Sequence, residues 1–214
     1  MKPVAHSVLF FIVLVITTPV MAASGEQQLQ AFYRDVHSMR ADFTQAVVSE
    51  NSARVDKSKG VLQMKRPGKF RWDYSEPYEQ QIIANGKTLW IYDVDMEQVI
   101  EKPLGKVLGQ TPAILLSGNA PLADRFTISD VHAPELDNTL AWVKLVPKQD
   151  DVGFQVLLLG FKDNSLREMQ LVDAFGQMTR LVFSNLQVNP QIDDKVFNFV
   201  PPAGVDVIGD VKQP

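Results

Sequence analysis

The chain has 214 residues, of which 45% are hydrophobic, with a formal charge of −4 and no cysteine. That length suits one domain, and the composition is that of a globular protein. The lack of cysteine excludes a disulfide framework, a zinc-thiolate site, a cysteine nucleophile and a lipid carried on a cleavage-site cysteine. The acidic balance and the lack of a long basic run argue against nucleic acid as a partner.

Lys2 precedes an uninterrupted apolar run from Val8 to Ile16, broken by Thr17-Thr18-Pro19. Val20-Met21-Ala22 then places small residues where a signal peptidase reads them. This predicts a secretory signal over 1–22, cleaved after Ala22, and a single domain over 23–214. The run is too short to span a bilayer, which takes ~20 residues. Losing Lys2 takes the charge from −4 to −5. No comparable apolar run follows, so the mature chain is expected to have no spanning helix.

Ser24 and Gln27 form a capping-box pair. Leu29, Phe32, Tyr33, Val36 and Met39 follow at helical spacing, opposite Gln28, Arg34, Asp35 and Ser38. An amphipathic helix ending near Arg40 is predicted. Asp42 to Glu50 is predicted as a strand with Phe43, Gln45 and Val47 on one face. Asn51 to Lys59 is polar and turn-like, and Gly60 to Lys65 is the next strand. After the turn Arg66-Pro67-Gly68, Phe70, Trp72 and Tyr74 share one strand face, with Arg71 and Asp73 on the other. Glu79 to Ala84 ends in Asn85-Gly86, a pair suited to a type I′ hairpin turn. Thr88 to Tyr92 is apolar or aromatic on both faces, as in a strand covered on both sides. Asp93-Val94-Asp95 turns the chain into Gln98 to Lys102, which Pro103 stops.

The β pattern breaks from Leu104 to Arg125. Thr111-Pro112 is a good helix start, and Ser117-Gly118 a helix end. The short segment between them is apolar all round, so it must be buried or lie over an apolar mouth. Pro121 to Arg125 suits another helical turn. Strands return at Phe126–Val131, Leu140–Pro147, Gln155–Phe161, Leu166–Asp173 and Met178–Leu186, with turns at Asp163-Asn164 and Phe175-Gly176. Phe197 to Pro202 alternates once more, and Gly204 to Ile208 suits a last strand. There is no sign of a domain boundary. Regular strands with turn signals suggest a sheet curling toward a barrel around a core or a ligand space.

Catalytic chemistry is hard to find. His6 leaves with the signal, and His37 and His132 stand in no nucleophile or ligand motif. There is no Gly-x-Ser-x-Gly elbow. Gly86-Lys87-Thr88 mimics the end of a phosphate loop, but Gln81 stands where that loop needs glycine, and the segment joins two strands. Asp93/Asp95, Asp150/Asp151 and Asp193/Asp194 are turn acids that complete no metal loop. No enzyme, cofactor or metal is expected.

The run Gly60 to Trp72, GVLQMKRPGKFRW, resembles the signature of the LolA family of periplasmic outer-membrane lipoprotein carriers. The resemblance continues in order through Phe43-Thr44-Gln45, Asn85 to Tyr92, Glu97-Gln98-Val99, Thr111-Pro112 and the tail Phe197 to Gly204. Each piece is weak alone; together they cover nearly the whole mature chain.

That resemblance implies a mainly β fold, an incomplete, strongly curved antiparallel β-barrel with a helical lid over a hydrophobic cavity. It implies a soluble periplasmic chaperone of a Gram-negative bacterium that takes triacylated lipoproteins from an inner-membrane Lol ABC exporter and passes them to the outer-membrane receptor LolB. A monomer is expected. The acyl-chain cavity would be lined by Leu29, Tyr33, Val36, Met39, Phe43, Phe70, Trp72, Trp90, Tyr92, Ile114 and Leu116. The family's basic turn residue falls on Arg66, which would hold the lid shut by hydrogen bonds to lid backbone. Two positions depart from the familiar pattern: Ala113 is smaller than the usual lid residue, and Gln63 stands where an aromatic is common. A LolB-like acceptor, a periplasmic lipid hydrolase and a solid β module stay open as alternatives. The missing lipidation cysteine speaks against the first.

Overall fold

The computed structural model describes residues 23–49, 55–106, 116–118, 121–149 and 153–209. The signal segment, the helix start at Thr111-Pro112, Ala113, Ile114 and the Asp150/Asp151 pair lie outside these residues.

Helix α1 spans Gly25–Asp35 and opens with the capping box, Ser24 Oγ accepting from Gln27 N at 3.3 Å and Gln27 Oε1 from Ser24 N at 3.1 Å. It buries Leu29 and Phe32. Gln28, assigned above to the polar face, is buried too, donating to the Ala23 carbonyl and accepting from Asn164 N at 2.8 Å. At the helix start a Cβ on Gly25 would lie 2.4 Å from the Trp142 carbonyl oxygen, so only glycine lets α1 approach the sheet this closely.

The helix stops at Asp35, short of the predicted end at Arg40. Val36 is already extended, and Met39 belongs to strand β1, Ser38–Val48. The cause is a long-range partner. The Asn189 side chain accepts from His37 N at 2.7 Å and Ser38 N at 3.3 Å, and donates to the Asp35 carbonyl at 2.8 Å. These bonds satisfy the helix end and turn the chain into the sheet.

Strand β2, Val55–Lys65, begins before the predicted Gly60 and pairs with β1 from Val48↔Val55 to Ser38↔Lys65. The polar stretch Lys57 to Lys59 is thus strand, because its backbone finds partners on β1 whatever its side chains. Then come β3 (Lys69–Glu76), β4 (Gln80–Asn85), β5 (Thr88–Asp93) and β6 (Gln98–Pro103). The connection after Asn85 is not the expected type I′ turn. Positive φ falls on Gly86 alone, at 93°, while Asn85 Oδ1 accepts from Lys87 N and Thr88 N, each at 2.9 Å. Both central residues have positive φ instead at Asp163 (51°) and Asn164 (58°).

A short helix α2, Leu122–Arg125, leads into β7 (Phe126–Val131), β8 (Ala141–Pro147), β9 (Phe154–Lys162), β10 (Ser165–Asp173) and β11 (Met178–Val188). These begin and end close to where alternation placed them. A 3-10 turn over Asp194–Phe197 precedes the last strand β12, Asp206–Gly209.

Among the described residues twelve strands form one sheet, in the order β12-β6-β5-β4-β3-β2-β1-β11-β10-β9-β8-β7. Pairing is antiparallel except for β12 on β6. The end strands β12 and β7 do not pair with each other, so the barrel is unclosed. Its curvature shows in the core: Phe70 and Leu89 from one half share a cluster with Leu145 and Phe161 from the other. Part of the bend sits at Gly60, where β2 slips register against β3 and a Cβ would come within 1.9 Å of the Asp73 carbonyl oxygen. Helix α1 fills the concave side, with Phe32 and Phe161 ring centroids 5.8 Å apart.

Candidate functional site

Alternation sorts β3 cleanly. Phe70 and Trp72 are buried on the concave face with Tyr74 packed beside them, while Arg71 and Asp73 pair with each other on the outer face at 2.8 Å. Across β2 and β1 the same face carries Met64, Leu62, Met39, Ala41 and Phe43. Phe43 meets Trp72 and Tyr74 edge-on, each at 5.1 Å, and Trp72 stacks on Tyr74 at 6.3 Å. The other half of the sheet contributes Leu157, Leu159, Phe161, Met169 and Leu181. The concave face is therefore continuously apolar, with flat rings on one wall and aliphatic chains on the other.

Arg66 sits where two helix ends approach this face. Its Nη1 donates to the carbonyls of Phe32 (3.3 Å) and Tyr33 (2.7 Å), and its Nε and Nη2 both donate to Leu116 O, at 3.2 and 2.9 Å. Phe32 and Tyr33 lie in the last turn of α1. Leu116 and Ser117 are the last helical residues before Gly118, and Ser117 O accepts from Gly68 N at 2.8 Å. Helix C-termini present carbonyls without intrahelical partners and a partial negative charge, so one guanidinium satisfies two of them together. The arginine also lies over the rings of Tyr33 and Phe32, 4.3 and 5.1 Å from their centroids. Burial lowers the Arg66 pKa. Burial likewise pushes the Tyr33 phenol up to about 12, partly countered by the Arg66 charge.

Beside this junction lies a groove of about 680 Å³. Leu29, Tyr33, Leu122 and Ile128 supply its apolar bed, and Arg34, His37 and Arg66 lie along it.

The predicted cavity residues fall into three groups. Leu29, Val36, Met39, Phe43, Phe70, Trp72 and Leu116 share one buried cluster, with Tyr33 packed against it. Val36 and Met39 reach it as a helix cap and a strand residue rather than from a helical stripe. Trp90 and Tyr92 do not belong: they lie on the opposite face of β5, in a separate cluster with Ile83, Val99, Phe199 and Val205. The C-terminal tail covers that face, with Phe199 5.6 Å from Tyr92 and 6.1 Å from Trp90. Leu89 and Ile91 are the β5 residues that face inward. Ile114 lies outside the described residues. The sequence reading missed Phe32 and the far wall of Leu157, Leu159 and Phe161, although the alternation of that strand was available to find them. Gln63 falls on the outer face, paired in register with Arg40 and Arg71.

These features define an unclosed antiparallel β-barrel with an apolar concave face partly covered by helix and an arginine bonded to two helix ends. The family model described as outer membrane lipoprotein carrier protein LolA matches residues 34–200. The chain therefore belongs to the LolA family. It is 46% identical over 185 residues to the outer-membrane lipoprotein carrier protein of Methylococcus capsulatus, covering 86% of this chain and 88% of that one. It is 44% identical over 188 residues to the protein of that name from Methylobacillus flagellatus, covering 88% and 90%. A crystal structure of an uncharacterized conserved protein from Thermus thermophilus shares the fold, with a TM-score of 0.53 at 12% identity over 86% of this chain and 98% of that one.

Proposed function

We infer that the protein is a periplasmic carrier for lipoproteins and catalyses no reaction. Residues 1–22 direct export and are removed, and the domain 23–214 shields the acyl chains of mature lipoproteins across the aqueous space. Cargo comes from an inner-membrane Lol ABC exporter and goes to the outer-membrane receptor LolB.

The observation that carries this reading is the bonding of Arg66 to Leu116, Phe32 and Tyr33 at the edge of the apolar concave face. Burial of an acyl chain is worth about 0.8 kcal/mol per CH₂, so a cavity that simply fitted its cargo would never release it. A carrier without an energy source needs a closed empty state that offsets part of that gain. Bonds that exist only while the cover is down do this, because cargo affinity falls by the free energy of opening. Broad rings and flexible aliphatics suit several chains of unspecified length better than a fitted polar pocket.

The test is copurification of the full chain, exported in cells that make lipoproteins. Triacylated protein should accompany it in osmotic-shock fluid. A folded, exported protein that carries none would count against the carrier, and recovery in outer-membrane vesicles would favour the acceptor role.

A further inference from the structure

Among the described residues of the concave face, the indole N–H of Trp72 is a buried polar group without a partner. Trp72 is 3% exposed, and among the described residues no acceptor meets its buried Nε1. The contrast with its neighbours is sharp. Tyr74, stacked against it, is committed to Gln45 Oε1 at 3.0 Å, and Trp142 on β8 donates its Nε1 to the Asp137 carbonyl at 2.8 Å. Trp72 stands in register between Leu62 on β2 and Ile82 on β4, edge-on to Phe43. A phenylalanine there would supply a flat ring without stranding a donor, so the unpaired N–H itself is an unfavourable feature of the empty protein.

We propose that the Trp72 N–H is the polar anchor of the apolar concave face and donates to the carbonyl oxygen of an acyl ester or amide of the carried lipid. This rests on the carrier reading and adds what that face recognises. An indole is a donor and nothing else. An acyl ester or N-acyl group brings the complement into an oily interior: an acceptor oxygen, no charge, and a hydrocarbon chain for the surrounding rings. A free carboxylate would need several donors or a counter-charge, and the ring and register neighbours of Trp72, namely Phe43, Tyr74, Leu62 and Ile82, carry no charge. An ether-linked chain has no projecting carbonyl, only an in-chain oxygen shielded by the carbons on either side, which a buried ring N–H cannot approach as closely. The position thus distinguishes acyl from alkyl lipids of equal length and greasiness.

The experiment compares the binding of dioctanoylglycerol with that of its ether analogue dioctylglycerol, to the wild-type protein and to Trp72→Phe. The wild type should prefer the ester by about five- to tenfold, the worth of one buried hydrogen bond. Trp72→Phe should lose that preference, its affinities for ester and ether becoming equal, because the smaller ring alters both but only the ester had the hydrogen bond to lose. In wild-type protein, the NMR resonance of the Trp72 indole proton should move downfield with the ester and not with the ether; this readout needs no variant. Equal affinities in the wild type, or a preference that survives in Trp72→Phe, would overturn the proposal. Binding of neither lipid would instead remove the carrier reading and this inference with it.

Discussion

Arg66 donates to the Leu116 carbonyl from two of its nitrogens, at 3.2 and 2.9 Å, while its third nitrogen holds Tyr33 O at 2.7 Å. One side chain on the β2–β3 turn thereby joins the end of α1 to the end of the helical segment before Gly118. With Phe32 O, at 3.3 Å from the same third nitrogen, all three acceptors are backbone carbonyls, so these hydrogen bonds depend on where the helices end, while the rings of Phe32 and Tyr33 add contact with the guanidinium.

Arg66→Leu should keep cargo loading and impair hand-over. The empty closed state loses about 1.5–3 kcal/mol, the range for a hydrogen bond to a charged group. Opening then costs less, and cargo is held about tenfold more tightly for each 1.4 kcal/mol. Arg66→Lys should not rescue fully, since an ammonium cannot reproduce the fork. Transfer from loaded carrier to purified receptor measures both; wild-type transfer by Arg66→Leu would remove the latch.

Trp90 and Phe43 should behave differently although both are buried aromatics. Trp90→Ala empties the outer cluster under the C-terminal tail and should lower stability by about 3 kcal/mol with acyl-probe affinity unchanged. Phe43→Ala acts on the concave face and should change probe affinity as well as stability. Denaturant unfolding beside probe titration separates the two, and a shift in affinity for Trp90→Ala would show that the outer cluster takes part in acyl binding after all.

Gly60→Ala should destabilise by about 1–3 kcal/mol although alanine suits a strand better than glycine does. The new methyl group would meet the Asp73 carbonyl oxygen and the Phe43 ring. A melting temperature equal to that of wild type would mean the β2–β3 bend is soft.

Acid should loosen the tail through Asp194. Its carboxylate bonds to Lys65 at 2.7 Å and Lys69 at 2.6 Å, which hold its pKa at about 2 instead of 3.8. The lowered value means the stabilisation is present above pH 3.8 and disappears as pH falls through 2. Asp194→Asn should flatten that part of the acid unfolding curve, and an unchanged curve would show the pair is too solvated to matter.

Alkali should act on the interior. Burial raises the Tyr74 phenol to about 12 from 10.0, as it does Tyr33. A raised value means the contribution of each neutral phenol is complete below pH 10 and is lost as pH climbs through 12. Tyrosinate absorbance from these two should therefore appear late and coincide with unfolding, and its appearance before unfolding would show that the phenols are not held in the interior.

Strand identity was legible wherever one face is buried and the other wet, as in Phe70-Arg71-Trp72-Asp73, because side chains alternate with period two. The cap at Ser24 and the place of the turn at Gly86, though not its type, were legible, where a residue type is tied to a local backbone need. The basic turn at Arg66 could be singled out, but not its partners, which lie on helix ends 33 and 50 residues away.

What the sequence alone determined is therefore the set of strands, the capped first helix and the aromatic inward face of β3, since each follows from neighbours within a few residues. Tertiary structure decided the rest. Phe32, Val36 and Met39 fit a helical stripe, yet Asn189 ends the helix and pairing with Met64 and Val188 makes Met39 a strand residue. Trp90 and Leu89 are equally apolar neighbours, and only the arrival of Phe199 on one side fixes which of them faces the interior. Local pattern records that a face must be buried; what buries it is chosen by chain segments a hundred residues distant, through contacts no short stretch can encode.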